Sequence, residues 1–195
     1  MLSKSVWVFL GLIAVGSVGW FGSDALERNN DFCNACHVSP GVPLHIDIRR
    51  GFDARPPASL AAIHSAAKGT QRALGGEGRC IDCHGGVGLA GRTRVKILAA
   101  RDALVWLSGN FEEPDGMNHP LGEADCRRCH MEFDASDPDE IEVAFHGLPV
   151  HNADLGVECV ECHEVHEGGN DAATFFLNAE LVRAQCARCH SEFRR

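Results

Sequence analysis

The chain of 195 residues contains no tyrosine, for which the sequence offers no physical reason, and no cysteine outside one repeated pattern. It has a single long apolar run, at its start, and few long stretches of helical periodicity. A large interior built from peptide alone is therefore not foreseen. Basic residues are in deficit: 18 Lys and Arg against 27 Asp and Glu give a formal net charge of −9. Such a surface argues against a nucleic-acid partner and favours a basic protein partner or none. Methionine is nearly absent, with Met1, Met117 and Met131 only.

What is present is a five-residue pattern repeated five times. Cys33-Asn34-Ala35-Cys36-His37 is followed by Cys80-Ile81-Asp82-Cys83-His84, Cys126-Arg127-Arg128-Cys129-His130, Cys159-Val160-Glu161-Cys162-His163 and Cys186-Ala187-Arg188-Cys189-His190. C-x-x-C-H is the attachment signature of c-type haem. Two thiols add across the two vinyl groups of one haem, and the next residue turns back to bind the iron. Zinc knuckles use C-x-x-C in pairs, four thiolates to an ion. Five knuckles do not pair off, and zinc gives no reason for a histidine after every second cysteine. A disulfide framework or a thioredoxin-like redox pair fails for the same reason. The expected cofactors are five covalently attached haems c, with His37, His84, His130, His163 and His190 as proximal ligands. Five haems would supply much of the apolar interior, leaving the peptide to wrap them in short helices and loops.

The apolar run covers residues 5–22, with no charge between Lys4 and Asp24. It is just long enough to cross a bilayer as a helix. Lys4 before it and Asp24, Glu27 and Arg28 after it place the N-terminus in the cytoplasm by the positive-inside rule. Trp7 and Trp20 lie near its two ends. A cleaved signal peptide is the rival, but the run exceeds the usual apolar region, and Gly19-Trp20-Phe21-Gly22 puts bulky rings where small residues belong. The expectation is an uncleaved anchor in the inner membrane, single-pass, with the rest on the periplasmic side.

The fold class expected is mainly α with much irregular structure: one transmembrane helix and a small multihaem domain. Residues 1–5 form a cytoplasmic tip and 6–22 the anchor. Residues 23–111 form a first module carrying haems one and two, and 112–195 a second carrying haems three to five. A short helix is expected over residues 59–68 with Ser59 as N-cap, and the best helix over 92–110 with Gly109 as its stop. A further helical stretch is expected over 172–184. Pro114, Asp115-Gly116 and Pro120 mark a linker, and residues 134–140 an acidic turn.

Each iron has a second axial position, whose ligand helps set its potential. Six histidines lie outside the motifs: His45, His64, His119, His146, His151 and His166. Six candidates for five positions is close to a full bis-histidine set, with one of His146 and His151 left as the spare. Met131 directly follows His130 and is badly placed to cap the same iron. Fully ligated irons leave no position for a substrate, so the pattern suits moving electrons better than reducing a small molecule.

The order of these features resembles the NapC/NirT family of membrane-anchored multihaem quinol dehydrogenases, which includes NrfH-type subunits. The resemblance rests on the anchor, Phe32 with the first motif, Ile63-His64 ahead of the second, and the helix from Lys96 to Gly109-Asn110-Phe111 and Pro114. It continues with Asp125 before the third motif, and His151 and Gly156 before the fourth. It implies electron transfer from the membrane quinone pool, near haem one, to a periplasmic redox protein. It further implies a quinol site with a basic and an acidic residue from the helix after haem two, for which Lys96 and Asp102 are the nearest matches. Two departures stand out. The fifth motif lies beyond the family's tetrahaem pattern, and Ser39 stands where NrfH-like members carry methionine. The alternative is a relay subunit of a larger membrane complex, of the reaction-centre or alternative complex III type.

Overall fold

The computed structural model describes residues 3–35, 44–112, 121–130, 146, 156–167 and 172–194. Among them the chain is helical, with no strand and one isolated bridge between His163 and Leu177. Helix α1 runs Lys4–Glu27, then come α2 (Asn30–Asn34), α3 (Leu44–Asp53), α4 (Leu60–Ala66), α5 (Lys68–Leu74), α6 (Cys80–His84) and α7 (Gly88–Leu107). The later part holds α8 (Glu123–Arg127), α9 (Ala179–Cys186) and tight three-residue turns at Cys159–Glu161, Ala172–Thr174 and Ser191–Phe193.

The 24 residues of α1 span about 36 Å at 1.5 Å per residue, so the helix is long and apolar enough to cross a membrane. It continues past the expected end at residue 22 and carries Asp24 and Glu27 on its last turn. Helix α4 is started by Ser59, whose Oγ accepts the Ala62 N–H at 3.2 Å. The chain breaks at Ala67, where ψ reaches 131°, and resumes as α5, which Gly75 ends at φ +71°. Helix α7 begins earlier than expected and stops at Leu107, with Gly109 at φ +76° just beyond.

The stretch over 172–184 is not one helix. Phe175 and Phe176 adopt φ of 55° and 56°, in the left-handed region, and interrupt it. Helix α9 starts only at Ala179, because the Asn178 side chain accepts the N–H groups of Glu180 and Leu181 at 2.9 and 3.1 Å.

Buried apolar residues among those described are Phe52, Ala61, Ala62 and Phe176. So few side chains cannot offset the entropy of ordering a chain of this length. The interior has to come from something other than peptide.

Candidate haem sites

Each of the second to fifth motifs is folded by local hydrogen bonds of one helical turn. In the third, the Cys129 and His130 N–H groups both donate to the Cys126 carbonyl at 3.1 Å. In the fourth, Cys162 and His163 donate to Cys159 at 3.2 and 2.9 Å, and in the fifth Cys189 and His190 donate to Cys186 at 3.2 and 2.9 Å. One helical turn thus sets the two thiols three residues apart on one face, with the histidine directly after. An acidic residue pins the start of three of these turns. Asp82 accepts the Arg79 N–H at 2.8 Å, Asp125 that of Gly122 at 3.0 Å and Glu161 that of Glu158 at 2.7 Å. Of the first motif, Cys33 lies in α2, whereas Cys36 and His37 fall outside the described residues.

The motif segments touch one another in chain order. The Cys80 N–H donates to Asn30 Oδ1 at 3.0 Å, tying the second motif to α2, and the Cys33 and Cys80 thiols are hydrogen-bonded. Arg128 donates to the Asp82 carbonyl, joining the third motif to the second. The Glu123 N–H donates to Glu158, and the Cys126 and Cys159 thiols are hydrogen-bonded, joining the fourth to the third. Gln185 Nε2 reaches Glu161 Oε1 at 3.4 Å, joining the fifth to the fourth. In the bare chain the Cys80 hydrogen bond draws the Cys33 thiol down to about 7, and Cys126 does the same to Cys159.

Three motif histidines face three others across a constant gap. His84 and His166 have ring centroids 6.0 Å apart with planes at 12°. His64 and His130 are 6.0 Å apart at 85°, and His146 and His163 are 6.1 Å apart at 13°. A metal about 2 Å from a nitrogen of each ring sets the two centroids roughly 6 Å apart, so these pairs fit an iron held between them. Every pair combines a motif histidine with one from elsewhere. The ring nitrogens are also sorted. Nδ1 of His64 lies 2.9 Å from the Leu60 carbonyl, and Nδ1 of His163 lies 2.7 Å from that of Phe175. Donation there fixes the tautomer and leaves Nε2 for the metal. Burial pushes the His166 imidazole down to about 4 and also lowers His84, which keeps both in the neutral form that binds metal.

Comparisons with known proteins agree with this chemistry. The family model "Doubled CXXCH motif" matches residues 149–195, the fourth and fifth motifs. A protein of Allochromatium vinosum, provisionally named a tetraheme cytochrome-c type, is 24% identical over 172 residues, covering 80% of this chain and 84% of its own length. No solved structure matches the chain. The chain is a multihaem c-type cytochrome.

The remaining histidines of the cytochrome fall into two groups. His45 sits in α3 within electrostatic reach of His84. His190 is exposed, with Nδ1 3.3 Å from Glu192 and its ring 6.1 Å from Phe193. His119 and His151, with Met117 and Met131, lie outside the described residues.

Lys96 and Asp102 do not come together. Asp102 is exposed, and six residues along a helix of 3.6 per turn it points to another face. Lys96 instead enters a buried cluster at the end of α1. Its Nζ donates to Ser23 Oγ at 2.8 Å and Glu27 Oε2 at 3.1 Å, lies 3.7 Å from Asp24, and sits 5.2 Å from the centre of the Trp20 ring. Arg92 donates to Asp24 at 2.6 Å and also to Glu27. Sequence reasoning missed Asp24, Glu27 and Arg92 as a group. The signal was there: an acidic pair three apart on α1 and a basic pair four apart on α7, each on one face.

Proposed function

We propose that this cytochrome is anchored by α1, carries five haems, and transfers electrons between the quinone pool and a periplasmic redox partner. The observation that carries the reading is the unbroken order of contacts from α2, next to the anchor, to α9 near the other end of the chain. When bound, the haems would supply one-electron carriers in series along that line. The residues around them bind, orient and handle protons. His84 with His166, His64 with His130 and His146 with His163 would each hold an iron from two sides and so would leave no place for a substrate on it.

Quinol oxidation releases two protons for each pair of electrons. In this reading the carboxylates of Glu27 and Asp24, at the end of α1, would accept those protons, and Lys96 beside them would orient a quinol oxygen. Reconstitution with menaquinol or ubiquinol, followed at the reduced haem α-band, tests this. Reduction is expected with one of them; failure with both removes the quinol step.

A second reading is a relay subunit of a larger membrane complex. It is favoured by apolar side chains left exposed along α7, among them Leu89, Ile97, Leu104 and Leu107. Isolation in mild detergent separates the two. Integral-membrane subunits that co-purify in fixed ratio support the relay, and a lone anchored cytochrome supports the first reading.

A further inference from the structure

Between the end of α1, the second motif and the start of α7 lies a cavity of about 450 Å³. Four guanidinium groups line it, those of Arg28, Arg79, Arg92 and Arg128, against the two carboxylates of Asp24 and Asp82. The lining therefore carries an excess of two positive charges in a chain whose net charge is −9. Most of these guanidiniums are engaged on one side only. Arg79 grips Asp82 through Nη2 at 2.8 Å and Nε at 3.1 Å. Arg128 uses one Nη2 on the Asp82 carbonyl, and Arg92 spends Nη2 on both Asp24 and Glu27.

The other terminal nitrogen of Arg92 is the anomaly. Nη1 is buried and has no hydrogen-bond partner. A charged donor left in that state is costly, and native proteins rarely leave one so. It lies beside Gly85, the residue after the proximal His84, where a Cβ would stand only 3.3 Å from it. A side chain there would crowd both the orphaned nitrogen and the Ile81 carbonyl oxygen. A guanidinium with one unspent nitrogen can still donate a charge-assisted hydrogen bond, and a carboxylate oxygen is a strong acceptor for it.

We infer that this cavity is a binding site for a carboxylate group, with Arg92 as its anchor. The carboxylate is either a propionate of the haem attached at Cys80 and Cys83 or a free small carboxylate from solution. Two propionates would match the two excess charges, and the volume exceeds what one small anion needs. Arg92 then connects that carboxylate through Nη1 with Asp24 and Glu27 through Nη2. This holds whether or not quinol is the electron donor.

The test is a mediated spectroelectrochemical titration of the full-length, haem-loaded protein in detergent. Haem content is first matched to wild type by pyridine haemochrome absorbance. With a propionate in the site, Arg92→Gln moves one haem transition to lower potential, because a positive charge no longer favours the reduced form. Arg92→Lys keeps most of the wild-type value. Asp24→Asn leaves Arg92 in place, removes a competing negative charge, and moves the same transition up, which serves if Arg92→Gln does not mature. With a free anion in the site, added malonate raises the thermal midpoint of wild type and not that of Arg92→Lys. Superimposable potentials in all variants, with no malonate effect, overturn the assignment.

Discussion

Residues 3–112 carry every helix longer than eight residues among those described, namely α1, α3 and α7; residues 121–194 carry none. The front part is held by long helices, side-chain caps and a buried ionic cluster, all of which belong to the peptide. Among the described residues the rear part consists of helices of eight residues or fewer and tight turns, and two of the three histidine pairs tie it to the front. His64 of α4 reaches the third motif, and His166, just after the fourth, reaches back to the second. The Ala61 N–H also donates to the Val165 carbonyl at 2.9 Å. A histidine from each part thus faces a motif histidine of the other.

That contrast sets a scale for mutations. Loss of a cross-pair should have the largest effect: His64→Ala or His166→Ala should cost about 4 kcal/mol, as losing a metal ligand does. Either should leave one high-spin iron that binds carbon monoxide. Paramagnetic resonance sharpens the point, because the pair at 85° should give the strongly axial low-spin signal and the pair at 12° a rhombic one. His64→Ala should erase the axial signal alone.

Next comes the front cluster. Glu27→Ala leaves Asp24 as the one carboxylate facing Lys96 and Arg92 in this cluster and should cost about 3 kcal/mol. The histidine-pair spectra should stay as they were; a changed signal would mean that front and rear are more tightly coupled than described. Gly86→Ala should cost about 2 kcal/mol in thermal unfolding. Its φ is +74°, and a Cβ there would lie 2.6 Å from the carbonyl carbon of Gly91, at the start of α7.

The smallest change should be favourable. Phe175 is exposed at φ 55°, so Phe175→Gly should relieve strain and stabilise by about 1 kcal/mol in the same measurement. Its carbonyl should still hold His163 Nδ1, leaving the fourth-motif signals unmoved. A loss of stability would show that the ring packs against something bound.

The five motifs, the long apolar helix α1 and α7 were legible in the sequence because each is encoded by neighbours within a few turns. Ser59 and Gly109 act where cap chemistry places them. The histidine partners were legible only as a set. Which one meets which motif depends on how α4 and the segment after Cys162 return through space, and no local spacing records that. The acidic partner of Lys96 was hidden for a similar reason: Glu27 belongs to α1, and only the crossing of α1 and α7 brings the two together. The Phe175–Phe176 interruption broke an otherwise helical pattern with residues that normally avoid left-handed backbone.

The near absence of a peptide interior has one more consequence. A chain whose packing material arrives by covalent chemistry is not finished when translation ends. Until the last attachment it has few internal contacts to distinguish a correct arrangement from a wrong one. The attachment reactions therefore act as a checkpoint. A molecule missing one haem would carry a hole in its centre, and proteases in its compartment could recognise it as incomplete.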